Sequence, residues 1–154
     1  MNEHPWLVKA ATAFVEQRIK PEHDVLETGA GGSTLWFAKR AGSVLSYEHD
    51  IAWHKGVREN IEKAQIKNVT LRYEIEYPIN GILGIKEKFD FILIDGRGRV
   101  QSTKTTIGYL KQGGYFILDN SERERYREAL ALLDSLGWKR WDFSEAWRTS
   151  IWKK

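Results

Sequence analysis

Residues 24–40 read DVLETGAGGSTLWFAKR, and this stretch decides the fold because it joins a buried strand to a helix through a cluster of glycines. The apolar centre of DVLETG indicates a buried strand. Gly29 and Gly31 let the backbone turn tightly and approach a ligand closely, since neither residue has a Cβ. STLWFAKRAG then predicts a helix, with Ser33 or Thr34 able to cap its first turn. The free N–H groups at such a turn suit a carboxylate or a phosphate.

Strands and helices alternate on both sides of this unit. An amphipathic helix within 5–19 ends before Pro21. The predicted strands are 24–29, 43–50, 68–75, 89–95 and 113–120. The predicted helices are 33–42, 51–66 (buried face Ile51, Val57, Ile61 and Ala64), 102–111 and one that Ser121 opens, with Glu124 completing a capping box and Gly137 ending it.

Parallel strands that are joined by helices need right-handed crossovers, and apolar strands indicate a sheet covered on both faces. Segments 138–145 and 148–154 are two further strands without a helix between them, so we expect them to pair antiparallel. The sequence therefore predicts a single doubly wound α/β domain over residues 1–154.

An acidic residue accompanies the glycine turn. Glu48 lies at the end of the second predicted strand, nineteen residues after Gly29. A carboxylate at this position accepts hydrogen bonds from ribose hydroxyls, so the pair predicts a ligand that contains a nucleoside. The alternative is a purely structural turn beside a solvated strand end. The dinucleotide fingerprint G-x-G-x-x-G is incomplete, because its third glycine position is Thr34.

Glu27 stands two residues before Gly29, and VLETGAGGST resembles the E-x-G-x-G signature of class I S-adenosylmethionine-dependent methyltransferases. The resemblance covers nearly the whole chain, since VLSYEHD, FDFILIDGRGR, GGYFILDN and TSIWKK are similar to successive strands of that family. It implies a Rossmann-like methyltransferase fold with a mostly parallel seven-stranded sheet of order 3-2-1-4-5-7-6, in which strand 7 is antiparallel. The third glycine of the signature is replaced by Ser33.

The resemblance also implies S-adenosylmethionine as the cofactor and a set of contacts to it. Glu48 would hold the ribose, and His49 would lie beside the adenine. One residue of 74–77 would face the adenine amine, with no choice among the four. Asp95 would lie near the transferred methyl group and is the candidate catalytic residue. The implied cofactor-binding residues are Glu27, Gly29, Ala30, Gly31, Ser33, Thr34, Glu48, His49, Asp95 and Gly96.

Two neighbouring strands of the predicted sheet end in oxygen donors. Asp95 ends the fourth strand, and Asp119 and Asn120 end the fifth. Two carboxylates and an amide oxygen suit Mg²⁺, and the set is similar to the metal site of the catechol-type, cation-dependent O-methyltransferases. The alternative is that Asp119 and Asn120 only end the strand and cap the next helix.

Where the cation-dependent family has a Lys, three residues after the first Asp, this chain has Gly98. Arg97 and Arg99 flank that position. Arg cannot act as a base at neutral pH, but it could bind an acidic or phosphorylated substrate bidentately. The two arginines are therefore candidate substrate-binding residues.

Composition limits the partners. The chain has 154 residues, a net charge of +3 and no Cys, and its basic residues form no dense run. We expect neither a signal peptide nor a membrane span, and hence a cytoplasmic protein without a membrane partner. Exposed Trp among Trp6, Trp141 and Trp147 would suit a homodimer interface.

A small-molecule acceptor is expected, with O-methylation slightly favoured. Nucleic acid is disfavoured as a partner, because cytosine C5-methylation needs a Cys, and DGRG at 95–98 replaces the Asn/Asp-Pro-Pro-aromatic motif of adenine methylation. Two alternatives stay open. One is a cofactor-binding module that lacks transfer activity or needs a partner subunit. The other is a dinucleotide-dependent oxidoreductase, which the incomplete glycine fingerprint disfavours.

Overall fold

The computed structural model describes residues 3–75 and 89–154. These residues form five α-helices and seven strands. In chain order the elements are α1 (Lys9–Glu16), β1 (Asp24–Thr28), α2 (Gly32–Ala38), β2 (Ser43–Glu48), α3 (Ile51–Lys63), β3 (Val69–Tyr73), β4 (Phe89–Ile94), α4 (Arg99–Thr106), β5 (Leu110–Asp119), α5 (Arg127–Ser135), β6 (Lys139–Ser144) and β7 (Arg148–Lys153). The predicted connection YPINGILGIKEK (77–88) lies outside the described residues.

The seven strands form one sheet in the order β3-β2-β1-β4-β5-β7-β6. Strands β1 to β5 are parallel, and β7 pairs antiparallel with both β5 and β6. The order and the antiparallel strand confirm the prediction. The first half runs outward from β1 to β3 and the second half starts again at β4, so the strand order reverses between β1 and β4. Ligands bind at such a reversal, outside the carboxyl ends of the strands.

Successive strand residues point to opposite sides of the sheet, and helices cover both sides. On one face, Val25 and Phe91 pack with side chains of α1 and α2. On the other face, Leu26 and Ile92 pack with side chains of α5. All four of these strand side chains are fully buried. The covered sheet therefore provides a rigid base, and the loops at its carboxyl end carry the polar chemistry.

Two predicted features of the helices are wrong in detail. Ile51 and Ala64, which were expected on the buried face of α3, are exposed, because only the stripe of His54, Val57 and Ile61 faces the protein interior. Ser121 does not open α5. Its hydroxyl lies 2.6 Å from that of Ser150, and a 3₁₀ turn over Glu124–Tyr126 precedes the helix.

The boundaries of α4 and β5 also differ from the prediction. Helix α4 begins at Arg99 instead of 102 and ends at Thr106, where a 3₁₀ turn over Ile107–Tyr109 follows. Strand β5 begins at Leu110, three residues before the predicted 113. None of the described helices is long and apolar enough to cross a membrane.

Candidate functional site

A cavity of about 1470 Å³ opens at the carboxyl ends of β1, β2, β4 and β5. Its walls are the turns that follow these strands, and Trp6 and Trp147 contribute from the N-terminal segment and the β6–β7 turn. The cavity lies at the reversal of strand order, as expected for this architecture. Trp6 is 75% exposed, whereas Trp141 packs its ring 4.9 Å from that of Phe14.

The glycine turn after β1 needs glycine at its first position. Gly29 has φ +88°, and a Cβ at this residue would lie 2.6 Å from the backbone N of Gly96. The Gly29 N–H donates to the carbonyl of Tyr47 at 2.8 Å. The turn is therefore pressed against the β4–α4 connection on one side and β2 on the other. Gly31 has an extended φ of 175°, and a Cβ at this residue would point toward the indole of Trp53.

Glu27 lies beneath this turn and is fully buried. Its carboxylate accepts hydrogen bonds from the hydroxyls of Ser33, Thr34 (2.5 Å) and Ser46 (2.6 Å). Thr34 Oγ1 also accepts the Gly31 N–H at 2.9 Å. Helix α2 begins at Gly32 with Gly31 as its N-cap, so Ser33 and Thr34 lie inside the first turn and do not cap it as predicted. Burial raises the pKa of Glu27 to about 7, although the three hydroxyls lower it.

Neither Glu27 nor Thr34 lines the cavity, and their predicted contact with the cofactor stays a prediction. They hold the turn from below. Of the other residues in that prediction, Gly29, Ala30, Gly31, Ser33, Glu48, His49, Asp95 and Gly96 do line it.

Glu48 lies at the end of β2 with 4% of its surface exposed. Its Oε1 accepts the backbone N–H groups of His49 and Asp50, both at 2.8 Å, and lies 2.9 Å from Nδ1 of His49. Within residues 3–75 and 89–154, the hydrogen bonds that this carboxylate accepts all go to Oε1. Oε2 is therefore the oxygen that could accept a bond from a molecule in the cavity.

Trp53 is a site residue that the sequence reasoning missed. Its Nε1 donates to the carbonyl of Ala30 at 2.6 Å, and its ring is the nearest group to the Gly31 Cβ position. Because Trp53 lies one helical turn before the buried Val57, hydrophobic spacing alone assigns it to the core. In the structure it is 45% exposed and lines the cavity.

At the other end of the cavity, Arg99 connects the tips of β4 and β5. Its guanidinium donates to the carbonyls of Gly96 (3.0 Å), Asp95 (2.8 Å) and Asp119 (2.5 Å). It also lies 3.0 Å from Oδ1 of Asp95 and 3.9 Å from Oδ2 of Asp119. Arg99 is only 7% exposed. These bonds give Arg99 a structural role between the two strand ends, and because it also lines the cavity, its predicted contact with a substrate stays a prediction.

The two carboxylates beside Arg99 have unusual environments. Burial raises the pKa of Asp95 to about 7, with a further increase from Asp119 and a decrease from Arg99. Burial also raises the pKa of Asp119, whose Oδ1 accepts bonds from Thr149 (2.6 Å) and Trp147 (3.1 Å). A carboxyl with a pKa near 7 can accept a proton at neutral pH.

The predicted Mg²⁺ site is not supported. A positive guanidinium already lies between Asp95 and Asp119, and Asp119 is occupied by Thr149 and Trp147. In the described part of the chain, no group of three or more His, Cys, Asp or Glu side chains could hold a metal ion. Asn120 directly follows β5, has a left-handed backbone (φ +50°) and lines the cavity.

The remaining predicted residues lie as follows. Arg97 is exposed and lines the cavity. Of the candidate adenine segment 74–77, residues 76 and 77 lie outside the described residues. Glu74 and Ile75 do not line the cavity, and the Glu74 N–H continues the β2–β3 pairing by donating to the Glu48 carbonyl.

No protein-family model and no curated protein matches this sequence. Solved structures do match its fold. An rRNA methylase from Streptococcus thermophilus is 12% identical, with 94% of each chain covered and a TM-score of 0.75. The precorrin-6y C5,15-methyltransferase of Geobacter metallireducens is 16% identical, with 97% of this chain and 93% of that chain covered and a TM-score of 0.76.

A SAM-dependent O-methyltransferase from Thermotoga maritima is 17% identical, with 99% of this chain and 68% of that chain covered and a TM-score of 0.74. The names of these three proteins give different methyl acceptors or none. The chain therefore has the Rossmann-like fold of class I S-adenosylmethionine-dependent methyltransferases, and at these identities the likeness shows the fold alone.

Proposed function

We propose that this chain is a methyltransferase that binds S-adenosylmethionine across the Gly29–Gly31 turn. The observation that carries the proposal is that this turn and the buried Glu48 line one cavity from adjacent strand ends. A ribose needs a fixed acceptor for its two hydroxyls, and the Glu48 carboxylate is held in place by two backbone N–H groups. The fold, shared with methyltransferases, supports the same reading.

The residues present fit this cofactor. S-Adenosylmethionine carries a sulfonium and an ammonium group against one carboxylate, so it is a net cation. Glu48 and Asp50 give this end of the cavity two carboxylates and no Lys or Arg among the described lining residues. The cavity volume of about 1470 Å³ exceeds the roughly 300–1,000 Å³ of a typical ligand pocket, so a second small molecule has room beside the cofactor.

When bound, the cofactor supplies an electrophilic methyl group on a positively charged sulfur. An acceptor atom would bond to that methyl carbon as the carbon–sulfur bond breaks, and S-adenosylhomocysteine would leave. An acceptor hydroxyl must lose its proton, and Asp95 lines the cavity with a pKa of about 7. O-Methylation of a small molecule, with Asp95 as proton acceptor, is therefore the form of the reaction that we propose.

One observation favours a second candidate function. Arg99 pairs with both Asp95 and Asp119, which partly satisfies the carboxylates that would otherwise serve the acceptor. Under this alternative the chain binds the cofactor but has no transfer activity of its own, or needs a partner subunit to complete the acceptor site. The two functions share the cofactor site and differ in product formation.

Calorimetric titration with S-adenosylhomocysteine tests the shared part. Thermal unfolding tests the same binding. At 100 times its Kd, a ligand raises the free energy of unfolding by about 2.7 kcal/mol, which raises the Tm by roughly 5–10 °C at this chain length. Glu48→Gln keeps an oxygen for the two backbone N–H groups but loses the charge. We expect it to weaken binding about 10- to 100-fold, because a hydrogen bond to a charged group contributes roughly 1.5–3 kcal/mol.

Glu59→Gln is the matched control, since Glu59 is exposed on α3 and does not line the cavity. We expect it to bind like the wild type, and NAD to bind to none of the three proteins. Absence of S-adenosylhomocysteine binding to the wild type would reject both candidate functions. Equal affinity of the wild type and Glu48→Gln would reject the ribose contact.

Release of S-adenosylhomocysteine from S-adenosylmethionine, measured against a panel of phenols, amines and carboxylates, separates the two functions. Asp95→Asn should reduce turnover on a hydroxyl acceptor while retaining cofactor affinity within a few-fold. Binding without turnover on any acceptor would favour the module without transfer activity.

A further inference from the structure

The net charge of the side chains differs in sign between the two ends of the cavity. The end at β1 and β2 carries the carboxylates of Glu48 and Asp50. The end at β4 and β5 carries five basic and three acidic side chains, a formal balance of +2. These eight side chains are Arg97, Arg99, Lys104, Arg123, Arg125, Asp95, Asp119 and Glu128. A cavity of this kind favours a cation at one end and an anion at the other.

Some of the charges at the positive end are satisfied within the protein. Arg99 pairs with Asp95 and Asp119, as described above. Lys104 pairs with Glu128 across the α4–α5 contact. These two pairings account for all three carboxylates, so the surplus of positive charge resides on the remaining three arginines.

Those three arginines are exposed and only loosely held. Among residues 3–75 and 89–154, neither Arg97 nor Arg125 forms an ion pair. Arg125 lies with its guanidinium 4.9 Å from the ring centre of Tyr126. Arg123 has only a long contact, 3.8 Å, with Glu122 and is 44% exposed. Arg123 lines the cavity at the β4 and β5 end, where its charge lowers the pKa of Asp95.

We propose that Arg97, Arg123 and Arg125 bind a phosphate group on the methyl acceptor. The identification of this ligand as the acceptor rests on the proposed function, whereas the binding itself does not. Guanidinium groups stay charged at neutral pH, and their fork of N–H donors matches phosphate oxygens bidentately. A phosphate monoester carries up to two negative charges, so it matches the surplus better than a carboxylate with one.

The test compares two double variants that remove the same charge. Arg97→Gln/Arg123→Gln changes the proposed site. Arg58→Gln/Arg127→Gln changes two exposed arginines that do not line the cavity. Phenyl phosphate and benzoate, which share a ring and differ in the anion, are titrated into each protein by calorimetry, with and without S-adenosylhomocysteine. A single-stranded RNA hexanucleotide without a terminal phosphate is titrated in parallel.

We expect the wild type and the control variant to bind phenyl phosphate at least tenfold more tightly than Arg97→Gln/Arg123→Gln binds it. The same two proteins should bind benzoate at least tenfold more weakly than they bind phenyl phosphate. Tighter binding of the hexanucleotide than of phenyl phosphate would mean that the three arginines bind a nucleic-acid backbone, and would overturn the assignment to a phosphate monoester. Weaker binding of the hexanucleotide would support that assignment. Equal loss in both double variants, or no binding of either phosphate probe, would overturn the inference. The Kd of S-adenosylhomocysteine tests the proposed function separately. We expect it to differ less than twofold between each double variant and the wild type.

Discussion

Replacing Gly29 by Ala tests the geometry on which the cavity depends. The φ of +88° costs an L-residue about 1–2 kcal/mol. The new Cβ would also lie 2.6 Å and 2.7 Å from N and Cα of Gly96, which are backbone atoms and cannot rotate away. Moving the β4–α4 connection to relieve this overlap costs about another 1–3 kcal/mol, as overpacked sites do. The free energy of unfolding should therefore decrease by about 2–5 kcal/mol.

Thermal and urea unfolding measure this change. At about 2–4 °C for each kcal/mol, the Tm of Gly29→Ala should be roughly 4–20 °C lower than that of the wild type. Gly31→Ala is the control, since its φ is extended and its Cβ would lie 3.8 Å from Trp53 Nε1. We expect the control to unfold within about 0.5 kcal/mol of the wild type.

The two variants also separate folding from binding. Gly31→Ala places a methyl group on the cavity wall, so it should weaken S-adenosylhomocysteine binding without loss of stability. A Tm of Gly29→Ala within 2 °C of the wild type would refute the reasoning, because it would mean that the turn and the β4–α4 connection are not in the contact described.

Three further outcomes are expected. Glu27 binds its proton more tightly in the folded chain, since its pKa is about 7 against an ordinary 4.5, so stability falls as pH rises through this window. Glu27→Gln should remove up to about 3 kcal/mol of that decline, measured as the difference from wild type in urea unfolding at pH 5 and pH 8. Trp53→Phe removes the 2.6 Å bond to Ala30, so it should cost about 1 kcal/mol in urea unfolding and weaken S-adenosylhomocysteine binding, and unchanged affinity would exclude Trp53 from the site. A chelator should leave turnover unchanged, because the Arg99 guanidinium already pairs with Asp95 and Asp119, and a loss of turnover would restore the metal hypothesis.

The order of elements could be predicted because it depends on local patterns. The apolar strands, the glycine turn and the helical spacing each extend over a few neighbouring residues. Glu48 could be identified in the same way, since its position at a strand end follows from the chain alone. The sheet order came from the resemblance to a family and is confirmed.

The remaining errors come from contacts between distant residues. Ser121 has the local pattern of a helix cap, but its hydroxyl pairs with Ser150 on β7 instead. Arg97 and Arg99 have equivalent positions in the sequence, and only the fold turns Arg99 inward between Asp95 and Asp119. The Mg²⁺ prediction lacks support for the same reason, because the donor set is visible in the sequence and the competing cation is not.

The turn after β1 is held partly by main-chain atoms, since the Gly29 N–H donates to the Tyr47 carbonyl and the Ala30 carbonyl accepts the bond from the Trp53 indole. Main-chain contacts persist when side chains are exchanged over evolutionary time. The same cavity can therefore persist while much of the sequence changes, provided that position 29 stays glycine and the acid at the end of β2 is retained. The same architecture occurs in proteins that are only 12–17% identical to this one.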